Sequence, residues 1–217
     1  MMDKWIDATV FKKSVHRGAS IMVGGFMACG TPETLIDWLL ETDVDDLTLI
    51  CNDAGYVDRG IGRLIAAGRV SRLIASHIGL NPEAGRLMGE GSLDVELVPQ
   101  GTLAEVIHAG GAGLGGVLTP TGLGTVVEDG KTILDVDGSP YILEKALKAD
   151  IALIEARAAD NLGNLVYDKT ARNFNPIMAS ACEKVFALVE QRVETLDPEI
   201  IITPHVFVDY LIEEVRR

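Results

Sequence analysis

Two stretches of this chain place residue types in spacings suited to chemistry. In the first, the apolar run Ser20-Ile21-Met22-Val23 ends in paired glycines. The loop Gly24-Gly25-Phe26-Met27-Ala28-Cys29-Gly30 follows, and Thr31-Pro32 then opens an amphipathic segment. Glycines at such a junction let a backbone pass close to a bulky ligand, because no Cβ stands in the way. The helix mouth beyond them offers unpaired N–H groups to an anion. The same outline also fits an ordinary tight strand-to-helix turn with Phe26 as a core anchor, and the residues alone leave both readings open. In the second stretch, Gln100 sits between Pro99 and Gly101 at the end of the mostly apolar residues 95–98. An amide there can aim its N–H₂ at a developing oxyanion, or it can tie down its own turn. Asn52-Asp53-Ala54-Gly55-Tyr56 has the same placement after residues 47–51, with Asx-turn chemistry as its plainer role.

Other constellations carry less. Gly111-x-Gly113-x-x-Gly116 matches a dinucleotide fingerprint as a string, but it leads into Val117-Leu118-Thr119-Pro120 rather than a helix. Gly130-Lys131-Thr132 lacks the first glycine of a P-loop, since Thr125 stands there. His16, His77, His108 and His205 show no metal-ligand spacing, so no metal is expected. Cys29, Cys51 and Cys182 form no C-x-x-C pair and read as reduced, buried thiols. Glu96, Glu105, Glu144 and Glu155 show no special local context, and no nucleophile stands out. Asn173-Phe174-Asn175-Pro176 reads as a helix cap. The glycine density of Gly110-Gly111-Ala112-Gly113-Leu114-Gly115-Gly116 suggests close approach of a ligand or a second chain.

The elements that must position these residues alternate along the chain. Strands are expected at 21–23, 47–51, 70–75, 95–98, 151–155 and 185–189, and helices at 32–41, 61–67, 82–89, 103–109, 176–182 and 204–214. Thr31-Pro32, Asn81-Pro82, Asn175-Pro176 and Thr203-Pro204 share a cap-then-proline signature at helix openings, and Thr102 with Glu105 suggests a capping box. Strands of Val, Ile and Leu with little alternation suit a sheet covered on both faces. The expectation is an α/β fold, an open and mostly parallel sheet flanked by helices. A β-hairpin around Asp137-Gly138 is inserted in it. No internal repeat of fixed period is visible.

Residues 1–217 read as a single domain, with no linker or low-complexity tract. A net charge of −13 argues against nucleic acid and anionic membrane surfaces as partners. No apolar run approaches the roughly 18–20 residues that cross a bilayer. Met1-Met2-Asp3-Lys4-Trp5 lacks the pattern of a secretory signal, so a cytoplasmic location is expected.

Several blocks occur in one order: Gly24-Gly25-Phe26-x-x-x-Gly30-x-Pro32, Asn52-Asp53, Ile74-Ala75-Ser76-His77-Ile78-Gly79-x-Asn81-Pro82 and Val98-Pro99-Gln100-Gly101-Thr102-Leu103-Ala104-Glu105. The glycine run 110–116, Leu118-Thr119-Pro120-Thr121-Gly122-Leu123-Gly124-Thr125 and Arg172-Asn173-Phe174-Asn175-Pro176 complete the set. Together they resemble the alpha subunit of family I coenzyme A transferases, in the group acting on acetate, butyrate and acetoacetate. Arg17 departs from the family's usual acidic or Asn residue at the start of the glycine motif.

The resemblance implies the CoA-transferase fold and a heteromeric enzyme, commonly an α2β2 heterotetramer of alpha and beta subunits. It implies transfer of CoA between acetyl- or butyryl-CoA and a short-chain carboxylate such as acetoacetate. The route would be ping-pong, through a glutamyl-CoA thioester on the beta subunit. That glutamate belongs to a Ser-Glu-Asn-Gly context, which this chain lacks. By the same resemblance, Gly24, Gly25, Phe26, Met27, Ala28, Cys29 and Gly30 bind coenzyme A, and Gln100 is an oxyanion donor. Asn52 and Gly101 then lie near the substrate. A stand-alone sugar-phosphate isomerase or a ligand-binding protein of related fold is the alternative. A non-catalytic paired subunit, with a scaffold role only, is the third reading.

Overall fold

The computed structural model describes residues 3–214; the Met1-Met2 pair used in reading the compartment lies outside them. In chain order the elements are α1 (Ala8–Ser14), β1 (Ser20–Val23), α2 (Glu33–Leu40), β2 (Leu47–Asp53), α3 (Gly62–Ala66), β3 (Val70–His77), α4 (Pro82–Gly89) and β4 (Asp94–Leu97). Then come α5 (Gln100–Gly111), β5 (Gly116–Thr119), β6 (Thr132–Val136), β7 (Ser139–Lys145), β8 (Ala149–Ala159), β9 (Leu165–Val166), α6 (Asn175–Ser180), β10 (Cys182–Arg192) and β11 (Tyr210–Glu213). The main sheet runs β11-β10-β8-β1-β2-β3-β4 with every neighbouring pair parallel, and β9 joins β8 antiparallel.

Each central strand is apolar on both sides because helices cover both. Ile21, Val23, Leu49, Cys51, Ile151 and Leu153 pack with Leu35, Ile36 and Leu39 of α2 and Leu64 and Ile65 of α3. The intervening Met22, Ile50, Ala152 and Ile154 pack with Leu103, Val106 and Ile107 of α5 and Met178 of α6. This is why the strands show no polar alternation. Parallel pairing also brings the carboxyl ends of β1, β2, β3 and β4 to one edge, where ligands bind in open α/β sheets.

The expected hairpin is present as β6 and β7, and β5 joins β7 to complete a separate three-stranded antiparallel sheet. Residues 204–214 are not a helix. They form a 3-10 turn (His205–Phe207) and then β11, which pairs with β10 through Phe186–Tyr210 and Leu188–Ile212. Asn81 is a true cap, its Oδ1 accepting from the Ala84 N–H at 3.2 Å. The other three proposed caps make no side-chain cap bond. The capping box fails because α5 already begins at Gln100, leaving the Thr102 hydroxyl buried inside the first turn without a partner. Of the thiols only Cys51 is buried; Cys29 is exposed and Cys182 half-buried. Part of the glycine run is crowded by its own chain: a Cβ on Gly110 or Gly111 would meet Leu147 O or Ser180 Oγ at 2.1 Å, whereas Gly113 and Gly115 face open space.

Candidate active site

Three segments separated in sequence meet at the common strand edge through one chain of hydrogen bonds. Gln100, the first residue of α5, donates from Nε2 to Asn52 Oδ1 at 2.7 Å. Asn52 is 2 % exposed and donates from Nδ2 to Asp53 Oδ2, also at 2.7 Å. That same carboxylate oxygen accepts from the Met27 N–H of the glycine loop at 2.8 Å. Asp53 Oδ1 accepts from the Gly55 N–H at 2.8 Å, which is the Asx turn expected there. Ser76 at the end of β3 donates to the Asn52 carbonyl at 2.7 Å. The glycine loop, Asn52 and Gln100 therefore form one assembly. The exposed Gly101 follows in the first turn of α5, where Pro99 has no side-chain acceptor for the free N–H groups.

The loop itself is held from the far side of the sequence. Asn173 accepts from Gly25 N–H at 3.1 Å and donates to Cys29 O at 2.9 Å. Asn175 donates from Nδ2 to Gly30 O at 2.9 Å and to Ala171 O at 2.7 Å. A Cβ on Gly24 would lie 1.8 Å from Asn175 Oδ1, and one on Gly30 would lie 2.6 Å from Ala171 O. These glycines answer to the protein's own side chains and backbone, and Asn173 and Asn175 are clamps rather than a helix cap. Phe26 is 41% exposed and Met27 39% exposed, so Phe26 is not a core anchor. Met27 and Ala28 hold left-handed backbone at φ 48° and 66°, a strained state for residues with a Cβ.

Two of the four acids have context beyond an exposed ion pair such as that of Glu96 with Arg72 at 2.6 Å. Glu144 is buried and paired with Lys131 at 2.6 Å. Glu155 lies within β8, just past the end of its pairing with β1, and its N–H donates to Asn175 Oδ1 at 3.0 Å. Burial, with help from Glu214, Glu190 and Glu33, pushes the Glu155 carboxyl up to about 7. The signal in the sequence was an acid placed directly after the apolar run Ile151-Ala152-Leu153-Ile154. Among the described residues no group of His, Cys, Asp or Glu gathers as metal ligands, and no helix is long and apolar enough to cross a membrane.

The model of one family, described as Coenzyme A transferase, matches residues 7–214. The chain is 56% identical over 208 residues to the acetate CoA-transferase subunit alpha of Escherichia coli (strain K12), covering 95% of this chain and 93% of that protein. It is 49% identical over 199 residues to the acetoacetyl-CoA:acetate/butyrate CoA transferase alpha subunit of Clostridium acetobutylicum, covering 91% of each. Among solved structures, an acyl-CoA transferase from E. coli O157:H7 in a thioester complex with CoA superposes with a TM-score of 0.88 at 24% identity. The match covers 98% of this chain and 47% of that one, so the chain spans about half of that longer polypeptide. A variant of the decarboxylase AibA/AibB superposes with a TM-score of 0.82 at 26% identity, over 98% of this chain and 84% of that one.

Proposed function

We propose that this chain, which belongs to the coenzyme A transferase family, is the alpha half of a two-subunit enzyme. That enzyme would exchange CoA between a short-chain acyl-CoA and a carboxylate. The names of the relatives from E. coli and C. acetobutylicum favour acetate, butyrate and acetoacetate as the acids. In this reading residues 1–217 act as one domain in the cytoplasm, paired with a beta subunit, as α2β2. The nucleophilic carboxylate comes from the beta subunit, and no metal takes part.

One observation carries the proposal: the hydrogen-bonded path from Met27 through Asp53 and Asn52 to Gln100. It ties the loop that would meet CoA to the amide that would meet the reacting carbonyl. Gln100 Nε2 has two hydrogens and Asn52 takes one, leaving the other for an oxyanion. A neutral amide can stabilise that charge without an ion pair that traps the carboxylate substrate. Phe26, Met27, Ala28 and Cys29, between the clamped glycines, offer the accessible surface for CoA, while the exposed Gly101 lines the approach to the carboxylate and the buried Asn52 stands behind Gln100 near it.

The test is co-expression with the beta subunit and an assay of acetoacetyl-CoA with acetate. The chain alone should be inactive and the complex active. Gln100→Ala in the complex should lower kcat by about 10²–10³. Full turnover by the isolated chain, freed of contaminating subunits, would sink the proposal.

A further inference from the structure

A side-chain amide has a donor end and an acceptor end of nearly the same shape, so something must decide which end faces the reaction. For Gln100 the choice matters: an oxyanion gains from N–H and is repelled by C=O. The decision is made two residues away along the hydrogen-bond path. A carboxylate only accepts, and Asp53 takes three N–H groups: Met27 and Asn52 on Oδ2, and Gly55 on Oδ1. It therefore draws the Nδ2 end of Asn52 toward itself and turns Asn52 Oδ1 to Gln100. Facing that oxygen at 2.7 Å, Gln100 can present only Nε2. Were Gln100 reversed, two carbonyl oxygens would meet.

We infer that Asp53 is a positioning residue that sets the direction of the Gln100 amide through Asn52, and that it fastens the glycine loop with the same oxygen. The inference rests on the reading of Gln100 as the oxyanion donor. It goes further in naming a residue that touches neither substrate nor reacting atoms and yet sets both. The residue is buried, at 8 % exposure, and the three N–H groups that it holds all belong to this chain. Asparagine at this position is nearly the same shape but has one acceptor atom where Asp53 has two. With three donors facing it, at least one N–H would meet an N–H₂.

The experiment is a double-mutant cycle in the assembled complex, with acetoacetyl-CoA and acetate as substrates. Asp53→Asn should lower kcat about 10²-fold, the scale of a misplaced catalytic group, and should raise KM for the acyl-CoA several-fold through the released Met27. The double variant with Gln100→Ala should be no slower than Gln100→Ala alone, because both remove the same donor. A merely structural defect would multiply with Gln100→Ala instead, and that result overturns the inference. So does a fully active Asp53→Asn complex beside a slow Gln100→Ala complex. Full turnover by Gln100→Ala overturns the reading of Gln100 itself, and the relay with it. Co-purification and Tm report whether Asp53→Asn still folds. If it does not, Asn52→Ala, which cuts the path but leaves Met27 and Gly55 on Asp53, enters the same cycle with the same expected non-additivity in kcat.

Discussion

The loops that follow β1 and β2 are two copies of one template, thirty residues apart. Each opens with a positive-φ glycine and an aromatic residue, Gly25-Phe26 and Gly55-Tyr56, and each closes on a positive-φ glycine, Gly30 and Gly60. Each folds back in a short bridge, Phe26 with Cys29 and Tyr56 with Arg59. What lies between the glycines differs. In the first loop Met27 and Ala28 are forced into left-handed backbone, whereas Val57 and Asp58 are not. The first is gripped by Asn173 and Asn175 from a distant part of the chain. The second is fastened by a neighbour, Glu33, whose Oε1 accepts from Gly60 N–H at 2.7 Å, and Arg59 lies 5.4 Å over the Tyr56 ring. Strain persists only where surroundings over-determine it. The loop that carries strain is the one with the stronger clamp, and its Met27 shares an oxygen of Asp53 with Asn52.

Closing glycines give the largest contrast between the loops. Alanine at Gly30 would place Cβ 2.6 Å from the Ala171 carbonyl as well as in left-handed backbone. Gly30→Ala should therefore cost about 3–5 kcal/mol and remove turnover. At Gly60 the nearest atom to a new Cβ is Thr31 Cγ2 at 3.5 Å, so only the backbone term remains. Gly60→Ala should cost about 1–2 kcal/mol and leave kcat within a factor of three. Thermal unfolding and steady-state kinetics of the assembled complex read both. Equal losses of turnover would erase the distinction drawn between the copies.

A smaller effect probes the base of the first loop's clamp. Glu155, bonded through its N–H to Asn175, carries a carboxyl raised from 4.5 to about 7. Between those values the folded chain keeps a proton that the unfolded chain has lost. The contribution of Glu155 to stability is then fullest below pH 4.5 and is lost as pH rises through about 7. Glu155→Gln has no charge to bury. It should be more stable than the parent at pH 8 by about 1–3 kcal/mol, with little difference near pH 4.5. Denaturant midpoints at the two pH values decide it; a parallel shift at both would mean that burial of the charge is not what Glu155 contributes.

Much of this geometry was legible before the structure, but for reasons that differ from place to place. The glycines of residues 24–30 mark a close approach, yet the approaching groups at Gly24 and Gly30 are Asn175 and Ala171. Local spacing cannot say which atom comes near. Gln100 and Asn52 each announce themselves at a strand end, but their bond depends on β2, β3 and β4 lying side by side, which periodicity does not order. Asn173 and Asn175 look like caps because the loop groups they hold, Cys29 O and Gly30 O, lie more than a hundred residues away. Residues 204–214 are expected as a helix from the Thr203-Pro204 opening, although the β-branched and aromatic Val206, Phe207, Val208, Tyr210 and Ile212 suit a strand as well. A parallel partner that draws the chain into the sheet is invisible locally. The repeat of the two loops escaped because only glycines and an aromatic ring persist between them.

The finest test of that repeat removes strain without removing a contact. Ala28→Gly suits φ 66°, and relief of about 1 kcal/mol is offset by the greater freedom glycine gives the unfolded chain. Stability should thus change by less than about 1 kcal/mol. The loop, however, becomes free to leave the shape that presents Phe26 and Met27, so KM for the acyl-CoA should rise by about two- to fivefold, since ordering it now falls on binding. In the second loop Asp58→Gly relieves nothing, and KM should stay where it was. If the two variants shift KM alike, the left-handed pair at Met27 and Ala28 is only a consequence of the clamp. If only Ala28→Gly shifts it, the clamp exists to hold that pair in place.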